Sequence, residues 1–292
     1  MKRIIITGAS RGIGESIAVQ MSRALLSRPK STSSTVDQHH HHLLLTATNE
    51  TRLNQVREQC LKTNPKCKIS IISGDITQMN TIDSIITFVR EEWNNEIDVL
   101  IHNAGIIEPI RKIGDLCSSS SSSSGHQDDQ NNDYFEQYER NMNVNFFSVV
   151  KLTSRALPFI RKSAGNVIFI SSGAATRAID GWSAYCTSKA ALLRFADCLA
   201  LEEKSNGVKV LSVRPGVVAT DMQRMIREKG SRDQMNDYDY FVELNESGKL
   251  LDANLVAHRI CPLALEIPDD MNGQLVNQDD ERVIEIANQF YL

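Results

Sequence analysis

The sequence predicts an α/β fold, a single doubly wound parallel sheet of seven strands with helices on both faces. Three observations carry this. Short apolar runs alternate repeatedly with segments of helical period, and a strand that is followed by a crossover helix returns as a parallel neighbour. A glycine-rich turn, Thr7-Gly8-Ala9-Ser10-Arg11-Gly12-Ile13-Gly14, directly follows an isoleucine run near residue 1. Downstream, Ser172 precedes Tyr185 and Lys189, a tyrosine and a lysine four apart and so on one helix face.

Ile4-Ile5-Ile6 ahead of the glycines reads as a buried strand over 3–7, and 12–27 as the helix after it. A strand over 43–47 precedes a helix over 49–63. A strand over 68–73 precedes a helix over 79–93, and a fourth strand covers 98–102. Residues 133–163 read as one long helical stretch, interrupted in its last part by Pro158. Strand 166–171, helix 182–204 and strand 208–213 follow. A loop from 217 to about 250, a helix over 252–265 and a short strand over 274–277 complete the pattern. Two segments break it. Residues 29–42 hold Ser31-Thr32-Ser33-Ser34-Thr35 and the histidines 39–42, and about 115–132 holds a serine run, 118–124, followed by Asp/Asn/Gln-rich sequence. Both are polar with little to bury, so both are expected to be disordered insertions in one domain spanning 1–292. No metal site is expected at the histidines, because a low-complexity loop does not pre-organise ligands.

With 292 residues, 41% of them hydrophobic, the chain can bury the core of such a domain. A net charge of −4 carries no signature of a nucleic-acid or membrane-surface partner. The 6 cysteines form no Cys-x-x-Cys pair, which points to reduced thiols rather than a disulfide framework or zinc site. No apolar run approaches the ~20 residues of a membrane helix. The first strand begins too early for a leader peptide. The expected compartment is the cytoplasm.

Gly8, Gly12 and Gly14 permit a tight turn in which backbone N–H groups approach a pyrophosphate at a helix N-terminus. Gly8, Ser10, Arg11, Gly12, Ile13 and Gly14 therefore form a candidate phosphate cradle. The end of the second strand decides the cofactor, since an acid there would hold the ribose hydroxyls. Leu45-Thr46-Ala47-Thr48-Asn49 carries none. A 2′-phosphate meets no repulsion there; Arg11 can supply charge, and Thr48 and Asn49 hydrogen bonds. NADPH is expected over NADH. Asp75, with Ile76 beside it, is placed to hydrogen-bond adenine, although Gly74-Asp75 is equally a turn signature.

These motifs resemble the short-chain dehydrogenase/reductase family. The T-G-x-x-x-G-x-G turn, Asn103-Ala104-Gly105, Ser172 and the Y-x-x-x-K occur in that family's order, over 2–277. The resemblance implies a Rossmann domain that binds NAD(P), with Asn145 as the catalytic asparagine and Asn103, Ala104 and Gly105 against the cofactor. It also implies nicotinamide contacts from Pro215, Gly216, Val218 and Thr220. His102 departs from the pattern, which usually has asparagine. Within the family, Asn103-Ala104-Gly105-Ile106-Ile107-Glu108-Pro109, Thr220-Asp221-Met222-Gln223 and the segment 267–274 resemble the (S)-benzoin-forming benzil reductases. Those enzymes use NADPH to reduce one carbonyl of an aromatic 1,2-diketone; sepiapterin reductases are a more distant likeness. Such relatives usually carry arginine at the Thr48 position, and Arg52 is the candidate substitute.

Tyr185 is the candidate general acid. A free tyrosine, with pKa about 10, exchanges protons poorly near neutrality. The Lys189 ammonium, one turn on, is expected to lower it, as is the oxidised nicotinamide. By the resemblance, Lys189 also binds the nicotinamide ribose, Ser172 orients the carbonyl, and Asn145 holds a water in a proton relay. Ser172 as a strand-end cap and Asn145 as a backbone partner are the alternatives. The substrate pocket is expected at 107–108, 174–182 and the 217–250 loop, with Trp182, Met222, Met225 and Ile226 offering apolar surface. The last three equally suit the packing of a lid helix. The activity expected is NADPH-dependent reduction of a ketone, such as one carbonyl of benzil, to an alcohol. A pterin reductase, an NAD-linked alcohol dehydrogenase and a non-catalytic NADP-binding regulatory protein are the competing readings. The resemblance further implies a homodimer or homotetramer paired through 133–163 and 182–204, where Phe146, Phe147, Leu193 and Phe195 offer apolar surface.

Overall fold

The computed structural model describes residues 1–27, 41–116 and 127–292. Strands β1 (Arg3–Thr7), β2 (His42–Ala47), β3 (Lys68–Ser73), β4 (Val99–His102), β5 (Asn166–Ile170), β6 (Lys209–Arg214) and β7 (Leu275–Asn277) form one sheet in the order β3-β2-β1-β4-β5-β6-β7. Every pairing is parallel, as predicted. The helices are α1 (Gly12–Ser27), α2 (Glu50–Thr63), α3 (Met79–Glu92), α4 (Gln127–Met142), α5 (Ser148–Lys162), α6 (Ser183–Glu202), α7 (Asp221–Lys229), α8 (Tyr238–Glu246), α9 (Ala253–Leu265) and α10 (Glu281–Tyr291).

A strand covered on both faces needs apolar residues through its middle, which is why β1 carries Ile4-Ile5-Ile6 between Arg3 and Thr7. The side-chain period of two divides those residues between two cores. Ile4, Ile6, Leu43, Leu45, Val99 and Ile101 pack with α1, α2, α9 and α10. Ile5, Leu44, Leu100 and Phe169 pack with α3, α5 and α6. The chain runs from β1 outward to β3, then returns to β4 on the other side of β1. That reversal opens a crevice at the carboxyl ends of β1 and β4.

Several sequence expectations need correction. His42 is the first residue of β2 and is buried, so the insertion predicted over 29–42 ends before it. Trp93 Nε1 donates to its Nδ1 at 2.8 Å and Ser70 Oγ lies 2.9 Å from its Nε2. Burial, helped by the charge of Lys68, pushes its pKa down to about 4. His39, His40 and the serine run 118–124 lie outside the described residues. The Asp/Asn/Gln-rich part of the second predicted insertion is helical from Gln127. A helix propagates cheaply from an anchored turn, and Tyr134, buried and 3.0 Å from Ser183 Oγ, is such an anchor.

The helical stretch predicted over 133–163 is three pieces: α4, a π-helical turn at Asn143–Phe147, and α5, with Pro158 inside α5 rather than ending it. The loop predicted over 217–250 contains α7 and α8, and α10 was not anticipated. These are short helices with one apolar face each, below the length at which periodicity speaks clearly. His102 is a core residue. Its ring stacks on Phe169 at 5.2 Å, its Nε2 lies 2.9 Å from Thr153 Oγ1, and burial pushes its pKa down to about 3. Among the described residues, no helix is long and apolar enough to cross a membrane.

Candidate active site

The crevice begins with a stitched pair of turns. Thr7 Oγ1 accepts from the backbone N–H groups of Asn103 and Ala104, at 3.0 and 3.1 Å. Asn103 Nδ2 donates to the carbonyl oxygens of Thr7 and Gly8, both at 3.1 Å. The glycines are required by geometry. Gly8 and Gly12 adopt φ of +65° and +56°, in the left-handed region. A Cβ on Gly8 would lie 2.7 Å from Ala104 Cα, and one on Gly14 would overlap the Gly8 carbonyl oxygen. Gly14 therefore lets α1 start directly against the turn.

A cavity of about 830 Å³ runs from this turn across the strand ends to Tyr185. Gly8, Ser10, Arg11, Gly12, Ile13, Thr48, Asp75, Ile76, Asn103, Ala104, Gly105, Ser172, Lys189, Pro215, Gly216, Val218 and Thr220 line it with Tyr185. Two predicted residues do not: Gly14 packs behind the turn and Asn145 lies buried behind the wall. Asp75 Oδ1 accepts from the N–H and hydroxyl of Thr77, at 2.9 and 2.8 Å, so turn chemistry accounts for part of its carboxylate. Asn49 is occupied as the N-cap of α2, accepting from Arg52 N at 2.9 Å. Thr46 Oγ1 and Ser171 Oγ, on residues of the cavity wall, are buried with no hydrogen-bond partner among the described residues. Glycines that exclude Cβ atoms at a helix N-terminus fit the backbone cradle of a dinucleotide's pyrophosphate.

At the other end, Ser172 follows β5 and its Oγ accepts from Ala174 N at 3.2 Å, capping a short 3₁₀ turn. Tyr185 and Lys189 enter from α6. The direction of the tyrosine's pKa differs from expectation: burial pushes it up to about 12, against a hydrogen bond to Ser172 that lowers it. The Lys189 ammonium does not offset that burial. Its Nζ lies 5.7 Å from the centre of the Tyr185 ring and donates to Ile170 O at 2.9 Å. Burial pushes Lys189 down to about 8.

Asn145 sits on the π-helical turn. Such a turn inserts an extra residue and re-aims side chains, and is frequent at functional sites. Its Oδ1 accepts from Ile106 N, and its Nδ2 donates to Ile106 O and Asn141 Oδ1, all at 2.8 Å. Ser188 Oγ is 3.0 Å from the same Nδ2 and donates to Asn141 Oδ1 at 2.9 Å. Asn141 also donates to Glu108 O at 2.7 Å. The sequence reading missed Asn141 and Ser188. Their spacing, four before Asn145 and three after Tyr185, was the available signal.

The Tyr185 end of the cavity is aromatic and apolar. Trp182 stacks on Phe241 at 5.1 Å and meets Tyr185 edge-on at 5.8 Å. Ile107, Met222, Met225, Ile226 and Tyr240 complete this wall, and Ile226 also packs into the cluster beneath it. Met222 and Met225 likewise line the cavity and pack against that cluster. Helix α7 lies across the cavity with an ion pair at each end: Asp221 to Arg11 at 2.9 Å and Lys229 to Glu108 at 2.5 Å. The Arg11 hydrogen bond holds the Asp221 carboxyl below the usual range.

Comparison with known proteins agrees with this geometry. The short chain dehydrogenase family profile matches residues 30–231. The chain is 33% identical over 287 residues to a benzil reductase ((S)-benzoin forming) of Saccharomyces cerevisiae, covering 97% of each chain. It is 33% identical over 286 residues to a benzil reductase ((S)-benzoin forming) of Bacillus cereus, covering 96% of this chain and 100% of the relative. A solved short chain dehydrogenase/reductase from Saccharomyces cerevisiae superposes with a TM-score of 0.78 at 32% identity, covering 98% of this chain and 99% of that one. The likeness in sequence and fold runs along almost the whole chain, which belongs to the short-chain dehydrogenase family and is an oxidoreductase of that NAD(P)-binding family.

Proposed function

We propose that the protein reduces a ketone with NADPH, and that its substrates are aromatic 1,2-diketones such as benzil, giving an (S)-hydroxyketone. The observation that carries this is the meeting of Ser172, Tyr185 and Lys189 with the Trp182–Phe241 wall in one cavity. Two relatives described as benzil reductases support the substrate class. Arg11, with Arg52 at the same carboxylate and no acid at 47–49, supports the phosphorylated cofactor.

The reduced nicotinamide, when bound, supplies the hydride. The chain's own residues handle the proton and the geometry. Burial keeps the proton on Tyr185, which is the form an acid needs in the reductive direction. Tyr185 Oη delivers that proton to the ketone oxygen as charge develops there, and Ser172 Oγ hydrogen-bonds the same oxygen. Lys189, still mainly protonated at neutral pH, places positive charge beside the tyrosine as it gives up its proton. Asn145 fixes the Ile106 peptide and through it the floor of the site. We further propose that the chain pairs through α4–α5 and α6, where Phe147 and Leu201 are exposed; sedimentation in an analytical ultracentrifuge reads the mass directly.

The test is turnover of benzil with NADPH or NADH, with chiral analysis of the product, beside Tyr185→Phe. NADPH-dependent (S)-benzoin formation that the variant loses is the expected result. Preference for NADH, or turnover indifferent to Tyr185, overturns the reading. Tight NADPH binding without turnover of any ketone favours a non-catalytic role.

A further inference from the structure

Asp221, the first residue of α7, lies among three arginines. Arg11 Nη1 is 2.9 Å and Arg52 Nη1 3.4 Å from its Oδ2, and Arg224 Nη2 is 3.1 Å from its Oδ1. Arg11 comes from the glycine turn and Arg52 from α2, so one carboxylate draws together two cations from separate elements. They converge at the end of β2, where Ala47 and Thr48 carry no charge. Thr220 seats α7 on the glycine turn, its Cγ2 lying 3.1 Å from where a Cβ on Gly12 would be.

We propose that Asp221 occupies the place of the cofactor's 2′-phosphate on Arg11 and Arg52, and is exchanged for it when the phosphate binds. The proposal rests on the NADPH reading above. A phosphate offers the two guanidinium groups more charge and more acceptor oxygens than a carboxylate. The displaced carboxylate is not stranded, because Arg224, three residues on, retains it. The side chains of Arg11, Arg52 and Arg224 are 52%, 49% and 61% exposed, so the exchange buries no unpaired charge. Its consequence reaches the substrate. Helix α7 is latched by Asp221 at its start and by Lys229 to Glu108 at its end, and it carries Met222, Met225 and Ile226 into the cavity. Releasing the first latch couples the phosphate site to the substrate wall.

The probes are 2′,5′-ADP and 5′-AMP, which differ in the 2′-phosphate. Calorimetric titration of the full chain and of Asp221→Asn measures both. The variant should bind 2′,5′-ADP about two- to fivefold more tightly, the worth of one exposed competing ion pair, with 5′-AMP unchanged. Adding Arg11→Gln should erase the gain. In the wild type, amide hydrogen exchange over 221–229 should rise with 2′,5′-ADP and not with 5′-AMP; unchanged exchange overturns the latch. If the wild type prefers 2′,5′-ADP and Asp221→Asn binds it no better, the exchange is overturned and the NADPH reading stands. If neither protein discriminates, both fall. A gain in the variant without preference in the wild type supports the exchange and overturns the NADPH preference alone.

Discussion

Asn145 holds the Ile106 peptide at both ends, accepting from its N–H and donating to its C=O, each at 2.8 Å. Between this grip and the catalytic end lies Gly105, where a Cβ would be 3.2 Å from Asn145 Oδ1 and 3.7 Å from Lys189 Nζ. The asparagine therefore sets the floor against which Lys189 sits. Asn145→Leu removes both bonds to the part-buried Ile106 backbone; the carbonyl keeps Asn141 as a donor, and the N–H loses its side-chain acceptor. It should cost about 1–3 kcal/mol in urea unfolding, the penalty for one such group, and lower kcat more than it raises KM.

Tyr185→Phe removes one oxygen and retains the ring packing against Trp182. Reduction should fall by about 10²–10⁴, the usual worth of a general acid. Cofactor affinity, followed by fluorescence titration, should change little. A variant with near-normal kcat would end the assignment of Tyr185 as the acid.

Lys189 opposes stability to activity. Burial lowers its pKa from the ordinary 10.5 to about 8, so the folded state disfavours its charge. The unfolded chain binds the extra proton between those values, and wild-type stability should rise with pH across about 8 to 10.5. Lys189→Met should remove this rise, raise the midpoint of thermal unfolding near neutrality and abolish turnover. Wild-type reduction should decline as pH passes about 8, as the ammonium is lost.

Acid should weaken the fold through two core histidines. His42 and His102 are pushed down from 6.5 to about 4 and about 3 by burial, so both are neutral in the folded state. Unfolding takes up a proton at each as pH falls below 6.5, and stability is lost progressively towards pH 4. Denaturant titrations at successive pH values should show that slope. His102→Asn should reduce it, and an unchanged slope would remove His102 from the account.

Gly12→Ala places a side chain at φ +56° and 3.1 Å from Thr220 Cγ2. The turn must shift to admit it. Cofactor binding should weaken at least tenfold by titration, with a smaller loss of stability of about 1 kcal/mol for the left-handed backbone.

Much of this protein is written in local pattern. Strands buried on both faces must be continuous apolar runs, so Ile4-Ile5-Ile6 and its counterparts announce themselves. The glycine turn and the order Ser172, Tyr185, Lys189 are equally local, and they carry the family and the oxidoreductase chemistry. What sequence could not settle depends on distant residues meeting. His42 ends a histidine run, yet the ring of Trp93, 51 positions away, makes it core. The direction of the Tyr185 pKa follows from burial in the assembled cavity, which no spacing encodes. Asn141, Asn145 and Ser188 become one network only because a π turn faces α6. Asp221 meets Arg11 across 210 positions. Periodicity and turn chemistry act within a few residues and so determined the elements. The charges, burial and hydrogen-bond partners of the site arise where those elements cross, and the tertiary structure alone decided them.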